Sequence, residues 1–139
     1  MTLPTFLHKP IFKSPLALIR IWLGVTFIHH GIPGIFSADF MDGHIGMMEF
    51  FDMPMPVLMA YLSKGIELFA GICLLLGLFT RLAAGLIALS MLVAIVTALS
   101  GGIFDDWQEE ISFTYFILAL ALFLKGSTDF SLDRQLFSV

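Results

Sequence analysis

Four apolar runs set the pattern of this chain: 17–36, 56–79, 82–103 and 111–124. A helix needs about 20 residues to cross a roughly 30 Å hydrocarbon core at 1.5 Å per residue. The first three runs meet that length directly. The fourth covers only about 21 Å by the same rise, so its span should reach back to Trp107 and place Glu109 and Glu110 at or just below the outer interface. The runs show no alternation, and a membrane barrel would need more of them. The predicted fold is therefore all-α: an integral membrane four-helix bundle forming one domain over 1–139. Its spans are 17–36, 56–79, 82–103 and 107–124, with a short interfacial segment between the first two.

Composition agrees with a lipid solvent. Hydrophobic residues make up 58% of the chain and charged residues 13%, against about 45–50% and about 25% in soluble domains. A soluble fold of 139 residues would leave too much of this surface in water, whereas a lipid bilayer removes the difficulty. A net charge of −4 without a basic run argues against a nucleic-acid partner. The single cysteine, Cys73, lies within an apolar run, so neither an internal disulfide nor a CxxC redox pair exists. Lys9 and Lys13 precede an apolar run too long for a cleaved signal, and no A-x-A-like site follows it.

Charge orients the predicted spans. Lys9, Lys13 and Arg20 lie before or early in the first, Arg81 lies between the second and third, and Lys125 and Arg134 follow the fourth. Segments 37–55 and 104–110 carry acidic residues and no Lys or Arg. The positive-inside rule then predicts an inner (cytoplasmic) membrane protein with both termini cytoplasmic. In the first outer segment, Phe40, Met47, Met48, Phe50, Phe51 and Met53 mix with Asp42, His44 and Glu49, while Gly43 and Gly46 weaken it as a helix. It reads as a tethered segment on the outer face, or as one that lids the bundle.

Ionisable groups at membrane depth are costly and mark candidate sites. His29 and His30 precede Pro33, which has no N–H for the His29 carbonyl, so the helix should kink or open there. That arrangement forms a polar pocket, or else a kink whose histidines bond neighbouring helices. Lys64 and Glu67 are three apart on one helical face, with Gly71 continuing that face to admit a helix or a ligand. They form either a site or a structural ion pair. Glu109 and Glu110 enter the fourth span with Tyr115 close by. The candidate ligand-binding set is His29, His30, Lys64, Glu67, Glu109, Glu110 and Tyr115, converging near the outer leaflet between spans one, two and four. No short metal-ligand motif is present. Arg20 lies apart near the inner interface, where it snorkels or caps a helix.

These residues resemble the DoxX family of small bacterial four-helix membrane proteins. The likeness runs from Leu18 to Asp133. It includes Arg20, Gly24, Phe27 and His30-Gly31, then Glu67, Gly71, Leu74 and the turn Gly77-Leu78-Phe79-Thr80-Arg81. Met91, Ala94, a glutamate at 109 or 110 and Ser131-Leu132-Asp133 complete it. Two positions depart from the family pattern: Gly34, where members often have lysine, and Ala98-Leu99, where many have histidine. The resemblance implies a membrane-embedded component of redox systems, linked in some members to quinone reduction.

A quinone is accordingly the candidate bound substrate, since its headgroup needs hydrogen-bond donors in an apolar slot. Histidines at membrane depth occur on one span only, so a bis-His haem within one chain is not expected. Electrons would come from a soluble redox partner protein, and a homo-oligomer remains compatible with the sequence. Two other classes stand beside this reading. One is a non-catalytic module that binds or transports a small hydrophobic molecule; the other is a structural anchor of a complex.

Overall fold

The computed structural model describes residues 15–99, 107–126 and 130–137, without the side chains of 107–109 and 137. The described residues are helical, with no strand among them. The elements are α1 (Leu16–Phe36), α2 (Ala38–Phe50), α3 (Pro56–Leu76), α4 (Thr80–Ala98), α5 (Trp107–Lys125) and α6 (Leu132–Phe137). Among the described helices, α1, α3 and α4 are long and apolar enough to cross a membrane. α5 is the fourth long helix. α1 packs on α3, α3 on α4 and α4 on α5, and α5 returns to α1 along a lesser seam. The core joins Leu23 and Phe27 of α1 to Ala70, Cys73 and Leu74 of α3, Ile87 and Met91 of α4, and Ala119 and Leu122 of α5.

The tightest contact is between α1 and α3. A Cβ on Gly24 would lie 2.6 Å from the Leu75 nitrogen, and one on Gly71 would lie 2.8 Å from the Ile28 nitrogen. Two backbones therefore touch where side chains would hold them apart, which is how helices associate where lipid offers no hydrophobic contrast. α1 also runs through Pro33 without opening, and the Ser37 N–H donates to the Pro33 carbonyl at 2.9 Å. α1 therefore does not open at His29–Gly34, and one helix carries both histidines.

The interfacial segment after α1 is a 13-residue helix, although Gly43 and Gly46 weaken it as one. Ser37 caps it by accepting from the Phe40 N–H at 3.4 Å, and Gly43 and Gly46 face open space. Propensity lost at two exposed glycines is small beside the burial of Met41, which is 2% exposed. The second predicted span ends earlier than residue 79. Gly77 adopts φ 68° and closes a Schellman cap, with its N–H on Leu74 and the Leu78 N–H on Cys73. α4 then begins at Thr80, and 100–103 of the third predicted span lie outside the described residues.

That early start has a cause far along the chain. The Asp133 carboxylate accepts from the Phe79 N–H at 2.7 Å and the Thr80 N–H at 2.8 Å, while the Asp133 N–H donates to Gly77 at 2.9 Å. α6 thereby caps α4. Beside it Arg20, 1% exposed, donates to the carbonyls of Leu74, Leu75 and Phe130. Arg20 therefore caps α3 rather than snorkelling. Arg81 caps α5 in the same way, donating to Phe123 at 3.1 Å and Leu124 at 3.3 Å. The start of α1, the α3–α4 turn and the end of α5 thus share one end of the bundle, as alternating helices require.

Asp133→Ala leaves two N–H groups at the head of α4 without an acceptor and releases α6. It should cost about 2–4 kcal/mol, read as a lowered unfolding temperature in detergent. Asp133→Asn, which keeps one acceptor oxygen, should lose less. Equal stability of Asp133→Ala and the parent chain would show that α6 does not cap α4.

Candidate functional site

At the other end of the bundle, α3 carries Lys64 and Glu67 one turn apart. The Lys64 Nζ donates to the Glu67 carboxylate at 2.8 Å, and the two side chains are 10% and 9% exposed. Glu67 is the twelfth of 21 residues in α3, so the pair sits nearer the middle of the helix than its outer third. An ion pair there keeps net charge out of the apolar region. Its attraction is offset by desolvation, so the contact by itself is weak evidence of stabilisation.

Two neighbouring helices cover the pair. From α1, Gly34 lies so close that a Cβ would fall 2.5 Å from the Lys64 Cγ. The lysine stem occupies the space that any larger residue at 34 would claim. From α2, the Phe40 ring centroid stands 5.7 Å from the Lys64 ammonium, a cation–π contact. Also from α2, His44 Nε2 meets Ser63 Oγ at 3.0 Å. Ser63 donates its own proton to the Ala60 carbonyl at 2.9 Å, so its oxygen accepts from His44, and Nε2 carries the hydrogen. Burial, with the Lys64 ammonium second, pushes the His44 imidazole down to about 4, so it is neutral at neutral pH.

His30 completes this neighbourhood from α1. Glu67, Lys64 and His29 all act on it electrostatically. Its ring stands 6.5 Å from Tyr115 of α5 and 6.3 Å from Phe27, and Phe27 and Tyr115 meet edge to face at 5.4 Å. His30 is nevertheless exposed. It lies where α1 faces Tyr115 of α5. The arrangement offers a cation, a carboxylate and an imidazole beside three aromatic rings, which suits a flat amphipathic ligand with hydrogen-bonding oxygens.

The structure thus brings together Lys64, Glu67, His30 and Tyr115 of the predicted set. His29 is exposed and stands 5.9 Å from His30. Glu110 is half-buried, and the Thr114 hydroxyl donates to its backbone carbonyl at 2.9 Å. No hydrogen bond among the described residues joins the Glu110 carboxylate to the pair. The side chain of Glu109 lies outside the described residues. Phe40, His44 and Ser63 were missed by sequence reasoning. His44 is an imidazole in an otherwise acidic and apolar outer segment, but Gly43 and Gly46 masked the helix that aims it. Among the described residues, no group of three or more His, Cys, Asp or Glu side chains could hold a metal ion.

Comparisons with known proteins address the same residues. The DoxX family model matches residues 16–100, which include α1 through α4 and every member of the cluster except Tyr115. A protein of Bacillus subtilis (strain 168) named "Putative oxidoreductase CatD" is 30% identical over 127 residues, 91% of this chain and 90% of its own length. No solved structure gives a significant match. A family match over more than half the chain, joined to a relative aligned along nearly its whole length, establishes that this membrane protein belongs to the DoxX family.

Proposed function

We propose that the chain is the membrane subunit of a redox-linked system and receives a quinone-type headgroup beside Lys64 and Glu67. The observation that carries this reading is the buried Lys64–Glu67 pair, set behind a membrane-facing His30 and the Tyr115 ring. A quinone reaches such a site from the bilayer, and its two carbonyl oxygens need donors, which Lys64 and His30 supply. Reduction to the quinol takes up two electrons and two protons. Glu67 and His30 are placed to pass protons, and the electrons come from a separate soluble redox protein. The oxidoreductase name of the Bacillus subtilis relative supports this class.

The basic residues at the capped end support an inner-membrane orientation with both termini cytoplasmic. Arg20, Arg81, Lys125 and Arg134 all lie on elements gathered there, and positive charge is retained on the cytoplasmic side. In that orientation the Lys64–Glu67 site opens toward the outer leaflet. A second reading is favoured by the pair's own geometry: the 2.8 Å contact within α3 satisfies both charges without a ligand, as a structural brace.

Orientation is tested by labelling in a Cys73→Ala background. A membrane-impermeant thiol reagent applied from the periplasm should modify Asp42→Cys and spare Lys125→Cys. The reverse pattern would invert the topology. Site and brace are separated by Glu67→Gln, which keeps shape and hydrogen bonding but removes the titrating charge. Adding ubiquinone or menaquinone to the pure parent protein should shift the quinone absorption on binding, and folded Glu67→Gln should lose that shift. For a pure brace, removing one charge costs on the order of 3–5 kcal/mol, and Lys64→Met with Glu67→Leu restores stability. An unfolded Glu67→Gln protein with a fully responsive double variant would overturn the site reading.

A further inference from the structure

The site already described has a cover whose attachment is unusual. α2 lies over the outer half of α3 and places Phe40 on Lys64. It is joined to α1 by the single extended residue Ser37, with φ −118° and ψ 115°. It is joined to α3 through 51–55, where Asp52 and Met55 take positive φ of 51° and 50°. Among the described residues, α2 makes one side-chain hydrogen bond to the long helices, from His44 to Ser63 at 3.0 Å. The remainder of its attachment is apolar packing around Met41 and the Phe40–Lys64 contact.

We propose that α2 is a proton-sensitive lid over the Lys64–Glu67 pair, closed by the His44–Ser63 hydrogen bond and released when His44 takes a second proton. This concerns regulation of the site assigned above, but the lid itself does not depend on the identity of the ligand. In the closed state His44 Nε2 carries the hydrogen, so the incoming proton must enter at Nδ1. The new cation would then be buried against the Lys64 ammonium, two like charges beneath one short helix. Burial of the new cation is the larger cost and the Lys64 repulsion the smaller, since Glu67, hydrogen-bonded to Lys64, offsets part of that repulsion. Asp39, Asp42 and Glu49, the other ionisable side chains of α2, are exposed, and Lys64 is the charge that acts on His44. The closed state therefore excludes the proton and the open state admits it.

The direction of the response follows. In the open state His44 is solvated and titrates near its ordinary value of about 6.5, whereas in the closed state it is held down to about 4. Closure is fully favoured above about 6.5. As pH falls below that, the open state binds the proton first and closure weakens, until the closed state also protonates near 4. Between pH 7.5 and pH 5.0 the ratio of open to closed lid should rise about 30-fold.

The test uses the full chain in lipid nanodiscs without any quinone, so its failure and that of the quinone reading remain distinguishable. Nitroxides are placed at Gly46→Cys, where an added side chain meets open space, and at Leu92→Cys, 42% exposed on α4, in a Cys73→Ala background. Pulsed dipolar distances are compared at pH 7.5 and 5.0. The expected result is a second, longer distance that grows at pH 5.0. In His44→Gln, which keeps a donor for Ser63 but cannot take a proton, the short distance should persist at both pH values. Ser63→Ala removes the acceptor and should show the long distance already at pH 7.5. A parent chain whose distances ignore pH, or a His44→Gln chain that still responds, would overturn the lid.

Discussion

α1 and α3 approach until backbone meets backbone at Gly24 and Gly71, and both polar clusters hang on that approach. In a lipid solvent, apolar side chains gain little by leaving the bilayer for one another, so close packing and internal hydrogen bonds must hold the helices. The contact brings Arg20 of α1 to the last carbonyls of α3 at one end. Near the other end it presses Gly34 against the Lys64 stem and brings His30 under the influence of Glu67. A wider α1–α3 spacing would leave the guanidinium short of its carbonyls and uncover the Lys64 stem.

The two ends use their charges differently. At the capped end, Arg20, Arg81 and Asp133 each answer backbone groups that a helix terminus leaves unpaired. Their directional bonds lock α3, α4, α5 and α6 together. Toward the other end, Lys64 and Glu67 answer each other, and Phe40 and His44 cover them from a helix held, among the described residues, by one side-chain hydrogen bond to the long helices. One end is thus held by directional bonds and the other mainly by packing. Where opening is cheap, function can reside.

How much of this was legible in the sequence varies with the range of the cause. Four long apolar runs and their lengths follow from local composition, and a bilayer tolerates no other regular backbone than a helix or closed barrel. The pairing of Lys64 with Glu67 was legible too, because a spacing of three on a helix places two side chains on one face. The joining of the basic ends was foreshadowed by their charge. By contrast, the helical state of α2 was hidden, since Gly43 and Gly46 lower its local propensity while its stability comes from packing on α3.

What the sequence by itself determined is the solvent the chain needs, the long helices it makes, and which charges lie within them. All three depend on residues within a turn or a span of one another. Tertiary structure alone decided which of those charges meet. His30 meets Phe27 and Tyr115 while Glu110 makes no hydrogen bond to the Lys64–Glu67 pair, because contact depends on how the helices are rotated as they pack. It decided that Asp133, far along the chain, would end the α3–α4 turn at Thr80. It also decided that His44 would reach Ser63. These partners are distant in sequence, and only the packed helices bring their hydrogen-bonding atoms within 3 Å of one another.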